Sequence, residues 1–194
     1  ILRAEGYFTH QFDEYYQITN FISTDTADRT EFNAWVGRLS YERSTFNRKQ
    51  YANAGSFFQA SIKSVQGEEF TIPGSTSEIR DTTKTVHTWY AAKINYQNYF
   101  FNSKRFKSGF YLEGAFSAQD FFHNYISSAI AAPSFNPIPE SRTYFLPQFR
   151  AHQYAAYGLM NVLAFVGYPQ SFPVIAFPMA CIAGNVNVGE KMHF

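Results

Sequence analysis

The sequence predicts an all-β protein, an antiparallel transmembrane β-barrel, and three observations carry that expectation. Apolar and polar residues alternate with a period of two through several long segments, the signature of half-covered strands. Aromatic residues make up 20% of the 194 residues, with 22 Phe and 14 Tyr, while charged residues supply only 16%; soluble domains carry roughly 25%. Mean hydropathy is nevertheless -0.29, which excludes a bundle of membrane helices. Strands with one face towards lipid and one towards water reconcile these values. By composition alone, an aromatic-rich soluble sandwich or a lipocalin-like barrel fits equally well.

In chain order, Leu2–Thr9 and Phe12–Ile22 read as strands joined by a tight turn near His10, with Ser23–Asp28 as an outer loop. Between Arg29 and Glu42, Trp35, Gly37, Leu39 and Tyr41 fall on one face and Arg38, Ser40 and Glu42 on the other. The next run sets Ala52, Ala54, Phe58, Ala60 and Ile62 against Asn53, Gln59, Ser61 and Lys63. From Val86 to Phe100, Tyr90, Ala92, Ile94 and Tyr96 alternate with His87, Lys93, Asn95 and Gln97. From Ser108, Phe110, Leu112, Gly114 and Phe116 alternate with Tyr111, Glu113, Ser117 and Gln119.

The connections choose between a wet lumen and a wet exterior. Arg43–Gln50 and Asn102–Lys107 are short and polar, whereas Gln66–Thr85 and Phe121–Pro147 are long. Alternating tight turns and long loops are what an outer-membrane barrel shows, the long loops lying outside. Gln148–Leu163 reads as a further strand, followed by a turn at Gly167–Ser171. Val174–Gly184 is apolar on both faces and ambiguous, since Pro178 demotes it to an edge, a bulge or a non-strand. Val186–Phe194 places Val186, Val188, Met192 and Phe194 on one face. A terminal aromatic on an alternating strand is similar to the C-terminal signal of outer-membrane barrel proteins. The total is roughly nine strands, against the even number usual in bacterial single-chain barrels. The odd count, together with a first strand entering from outside, predicts that strands are missing upstream. The sequence does not open on a basic start followed by an apolar run, the signal peptide that export needs, so residues 1–194 are expected to be one barrel domain from a longer chain.

Several stretches resemble the C-terminal barrel, of the surface-antigen type, in patatin-like phospholipase proteins of the Bacteroidetes. They are residues 39–52 (Leu39-Ser40-Tyr41-Glu42-Arg43 through Ala52), 71–77 (Thr71-Ile72-Pro73-Gly74), 109–117 (Gly109-Phe110-Tyr111-Leu112-Glu113), 131–137, 145–151 (Phe145-Leu146-Pro147-Gln148-Phe149-Arg150) and 157–159. The likeness runs from about Ala34 to Asn161 and lies in order and spacing; beyond Asn161 the sequence departs from it. It implies the C-terminal part of a larger barrel in the bacterial outer membrane, preceded by a lipid acyl hydrolase domain with a Ser–Asp dyad. That dyad needs a Gly-x-Ser-x-Gly elbow and an Asp-Gly pair, and neither occurs in this chain. The expected site set is therefore catalytic none, cofactor none, metal none.

Other constellations point the same way. The net charge of +1 gives no reason to expect nucleic acid. Cys181 is the sole cysteine, and the five histidines (His10, His87, His123, His152, His193) lack ligand spacing. Glu68-Glu69 with Glu78 and Asp81 read as a solvated loop rather than a cation site, and Lys104, Arg105 and Lys107 as a basic turn. Arg38, Glu42, Lys63, Lys93, Glu113 and Arg150 form an inward set whose opposite charges pair across strands and fill the barrel. Trp35, Tyr41, Trp89 and Tyr90 are girdle candidates, although Trp89 falls on the polar face by parity. The expected partners are outer-membrane lipid and the missing strands or domain, from the same chain or a partner. Three functions compete: a membrane anchor and translocation barrel for the hydrolase, an independent porin or ligand-binding barrel with long outer loops, and a soluble lipid carrier.

Overall fold

A computed structural model describes residues 1–49, 52–78, 80–136, 149–163, 174–176 and 179–183. Six long strands make an antiparallel meander: β1 (Leu2–Tyr15), β2 (Asp28–Ser44), β3 (Ser56–Ile72), β4 (Thr83–Asn102), β5 (Phe106–Ser117) and β6 (Gln153–Leu163), each beside its neighbour in sequence. One helix, α1 (Tyr125–Ala131), lies between β5 and β6. Two short strands, β7 (Val174–Ala176) and β8 (Met179–Ala183), both pair with β6. Asn161 opposes Ala176 and Gly158 opposes Met179, so the register continues unshifted from β7 to β8. The ambiguous Val174–Gly184 segment is thus strand on either side of 177–178. The turn expected at Gly167–Ser171 and the strand expected at Val186–Phe194 lie outside the described residues.

The turn expected near His10 does not exist. β1 runs straight through it, in unbroken register with β2 from Leu2 opposite Tyr41 to Tyr15 opposite Asp28. Leu2, Ala4, Gly6, Phe8, His10 and Phe12 keep one parity, and His10 Nδ1 meets Asn33 Oδ1 of β2 at 2.6 Å. With one strand fewer, β1 starts at the rim that holds the 45–55 and 103–105 connections. The 16–27, 73–82 and 118–152 connections share the opposite rim. Long and short connections therefore segregate as expected, but the strands reach further into the loops. Gln66–Ile72 belongs to β3, so Glu68 and Glu69 are strand residues rather than loop residues.

Among the described residues the sheet is open: β1 pairs with β2 alone, and β7 and β8 with β6 alone. Its two faces are chemically opposite. One face is covered by residues 118–136, which fold back onto it. The Phe122 ring packs against Phe32, His87 and Trp89, and Phe135 packs against Tyr111 and Tyr154. Two apolar clusters result, one around Phe32, Ala34, Val36, Val65, Trp89 and Phe122, the other around Tyr111, Phe135, Tyr154 and Met160. Gly67 makes the first possible. A Cβ there would lie 2.7 Å from the Asn33 carbonyl oxygen and 2.6 Å from the Ala34 Cβ, so any side chain would push β2 away. The expectation of a free outer loop at Phe121–Pro147 is corrected by this packing; residues 137–147 lie outside the described residues.

Candidate functional site

The covered face holds the charges. Arg38, Glu42, Lys63, Lys93 and Glu113 all lie on it, as their parity predicts, and Glu113 is its polar centre. Only 3% exposed, Glu113 receives the Lys93 ammonium at 2.7 Å, the Asn95 amide at 3.0 Å and the Tyr111 hydroxyl. The Tyr154 hydroxyl lies 2.6 Å from its other oxygen. A carboxylate removed from water costs several kcal/mol unless it is paired and hydrogen-bonded. The alternation of β4 and β5 supplies those partners, because directly opposed residues such as Asn95 and Glu113 share a face. Lys93 also donates to the Ser134 carbonyl at 2.7 Å, which ties the covering segment to the hub.

A second hub sits nearer the long-loop rim. Glu69 accepts from the His87 ring at 2.8 Å, both side chains buried, and its other oxygen accepts from the His123 backbone N–H at 2.9 Å. Asn124 caps α1 by accepting from the Ile126 N–H at 3.0 Å, while its amide donates to Asp13 of β1 at 2.5 Å. Arg150 is not an inward strand residue. It stands before β6 in an isolated bridge with Ser134 and donates to the carbonyls of Ala129, Ile130 and Ala132 at 3.4, 2.6 and 3.2 Å. The Ala129 and Ile130 carbonyls are orphan acceptors of the helix C-terminus and Ala132 is its cap residue, so the guanidinium closes α1. Burial lowers the pKa of Arg150.

The other face is apolar and open. Trp35 is 68% exposed, Ile62 60%, Ile94 49%, Leu39 49% and Leu112 48%. Through Leu2–Phe8, Trp35–Tyr41, Phe58–Ser64, Tyr90–Tyr96, Phe110–Phe116 and Ala155–Leu159, no residue of this parity is charged. A shallow groove of about 550 Å³ runs along this belt, lined by Leu39, Tyr41, Ala60, Ile62, Ile94 and Phe116 among others. Charges resume on this face only beyond the belt, at Arg43 towards the short-connection rim and in ion pairs towards the long-loop rim. At the long-loop rim Arg29 bonds Glu31 at 2.8 Å and Lys84 bonds Glu68 at 2.8 Å. The belt has a definite height. Outward polar residues bound it at Asn33 and Arg43 in β2 and at Thr88 and Asn98 in β4, ten residue steps in each. Ten steps are about 34 Å along a strand, or about 26 Å at a barrel tilt of roughly 40°.

Of the girdle candidates, Trp35, Tyr41 and Tyr90 are on the open face, but Trp89 is 2% exposed on the covered face. Trp89 follows the parity of His87 and Lys93 on β4 and turns inward with them. The Glu69–His87 pair and the Asp13–Asn124 bond escaped the sequence reading, because each joins residues far apart in the chain. The helix left a faint local signal, Asn124 ahead of Tyr-Ile-Ser-Ser-Ala-Ile-Ala, which is an N-cap pattern. Among the described residues no three His, Cys, Asp or Glu side chains are placed to hold a metal ion. Among the described residues no helix is long and apolar enough to cross a membrane.

The fold and its faces define a class: an all-β antiparallel sheet with a charged, covered face and an uncharged, apolar open face. No family model, curated protein or solved structure matches the chain.

Proposed function

We propose that this chain is part of an outer-membrane β-barrel that anchors a patatin-like lipid acyl hydrolase and forms its translocation barrel. The observation that carries the membrane reading is the inverted distribution of polarity. Soluble proteins rarely expose a contiguous apolar patch of more than a few hundred Å², and burying a Leu- or Ile-sized side chain is worth about 1.5–3 kcal/mol. A belt of such residues across six strands, with carboxylates buried behind it, favours hydrocarbon over water on the open side. Its height of about 26 Å agrees with the ~25 Å apolar band of outer-membrane barrels. The hydrolase part of the reading rests on the sequence resemblance.

In a bilayer each unpaired backbone group costs several kcal/mol. The edges of β1 and of β7 and β8, unpaired among the described residues, therefore pair with further strands. An independent porin is the weaker alternative, because apolar clusters and the 118–136 segment occupy the covered face where a porin needs water. The anchoring reading is tested in two steps. The protein should require detergent for extraction and show heat-modifiable gel mobility; recovery in a detergent-free soluble fraction would remove the membrane reading. The coding sequence upstream of Ile1 should then encode a Gly-x-Ser-x-Gly elbow, and its absence would remove the hydrolase.

A further inference from the structure

The two rims of the sheet carry opposite charge. At the rim of the short connections, residues 43–56 and 98–110 contain Arg43, Arg48, Lys49, Lys104, Arg105 and Lys107 and no acidic residue. At the other rim, Glu14, Asp25, Glu31, Glu68, Glu78 and Asp81 outnumber Arg29, Arg80 and Lys84. The basic residues lie on two connections that are distant in the chain, and the sheet brings them together. Tyr99 N–H donates to the Gly55 carbonyl at 3.0 Å, Lys107 donates to Asn53 at 3.0 Å, and the Phe46 ring meets the Tyr99 ring edge-on at 6.2 Å. Gly55, at φ 97, makes the turn that brings the two connections together. Beside the cations, Phe100 is 61% exposed, Phe101 48% and Phe106 37%. Arg43, Arg48, Lys49, Lys104 and Arg105 are also exposed.

We propose that this rim is an interaction surface for the phosphate groups of anionic phospholipids in the membrane leaflet nearest it. Aromatic rings girdle the apolar band of a barrel at its boundary with the headgroups, and the cations around them stand where lipid phosphates lie. Lys and Arg near an anionic surface each contribute attraction that salt screens. The acidic rim repels the same lipids, so the charge asymmetry also orients the sheet across the bilayer. The inference rests on the membrane reading above.

The test uses the full chain in neutral detergent, with phosphatidylglycerol or phosphatidylcholine added, and counts retained lipid by native mass spectrometry. Phosphatidylglycerol should be retained preferentially, and rising salt should weaken its retention. At roughly fivefold per cation, neutralising Arg48, Lys49, Lys104 and Arg105 to Gln should lower apparent affinity at least ~25-fold if two of the four engage one lipid cluster. Arg80→Gln with Lys84→Gln, at the other rim, should leave retention unchanged. Equal retention of both lipids, an equal loss in the control variant, or preferential binding of a lipid A phosphate would each overturn the assignment. Whether the protein stays soluble without detergent is read separately, so failure of the membrane reading is distinguishable from failure of lipid selection.

Discussion

Replacing Ile94 by Arg distinguishes lipid from water on the open face by the sign of the effect. Ile94 lies six residue steps from Thr88 and four from Asn98, close to the middle of the belt, and its side chain is 49% exposed. If water covered this face, an Arg there would be neutral or slightly stabilising, because an exposed apolar group is lost. In a bilayer the guanidinium meets hydrocarbon, and a cation at the midplane of a barrel exterior costs about 2–4 kcal/mol. At ~1.4 kcal/mol per decade, this lowers the folding equilibrium by roughly 30- to 1000-fold. Val86, on the same strand and face but beyond Thr88, is 66% exposed and serves as the control, since Arg there faces water in both cases. Asn95 is unsuitable as a control because its amide donates to Glu113 at 3.0 Å. Urea unfolding of vesicle-inserted protein, followed by fluorescence, gives the two differences. Equal stability of Ile94→Arg and Val86→Arg would refute the face assignment.

Three further outcomes follow from the packing. Brominated lipid should quench Trp35, 68% exposed, and spare Trp89, 2% exposed; single-tryptophan variants quenched alike would contradict the opposed faces. Glu113→Ala leaves Lys93 without its carboxylate and should cost about 3–5 kcal/mol, with Glu113→Gln costing less; a loss below ~1 kcal/mol in chemical denaturation would show that the hub is not coupled to stability. Burial holds the His152 ring below its ordinary pKa of 6.5, with Asp120 pulling the opposite way. The fold thus favours neutral His152. Its contribution is complete above pH 6.5 and is lost as pH falls through 6.5 towards the folded value, and an NMR titration midpoint above 6.5 would reverse this sign.

Which side chains share a face is written in the amino-acid order. Strand geometry enforces a period of two, so Arg38 with Glu42, Lys93 with Glu113, and Leu39, Ile62, Ile94 and Leu112 were assigned from parity alone. Trp89 and β1 carry the same lesson, because the alternation from Leu2 to Phe12 passes through His10 unbroken, and no Gly, Pro, Asn or Asp between Thr9 and Phe12 offers a turn. Periodicity was legible there, and the local polarity of His10 and Gln11 concealed it. Tertiary structure decided the rest. Whether a polar segment is a loop or a strand end depends on a partner: Glu69 is strand because Thr85 lies opposite it, and it is buried because His87 and the His123 N–H satisfy it. Residues 118–136 cover the charged face only because Phe122 and Phe135 find rings contributed by β2, β4, β5 and β6. Those contacts join residues remote in the chain, and no local pattern encodes them.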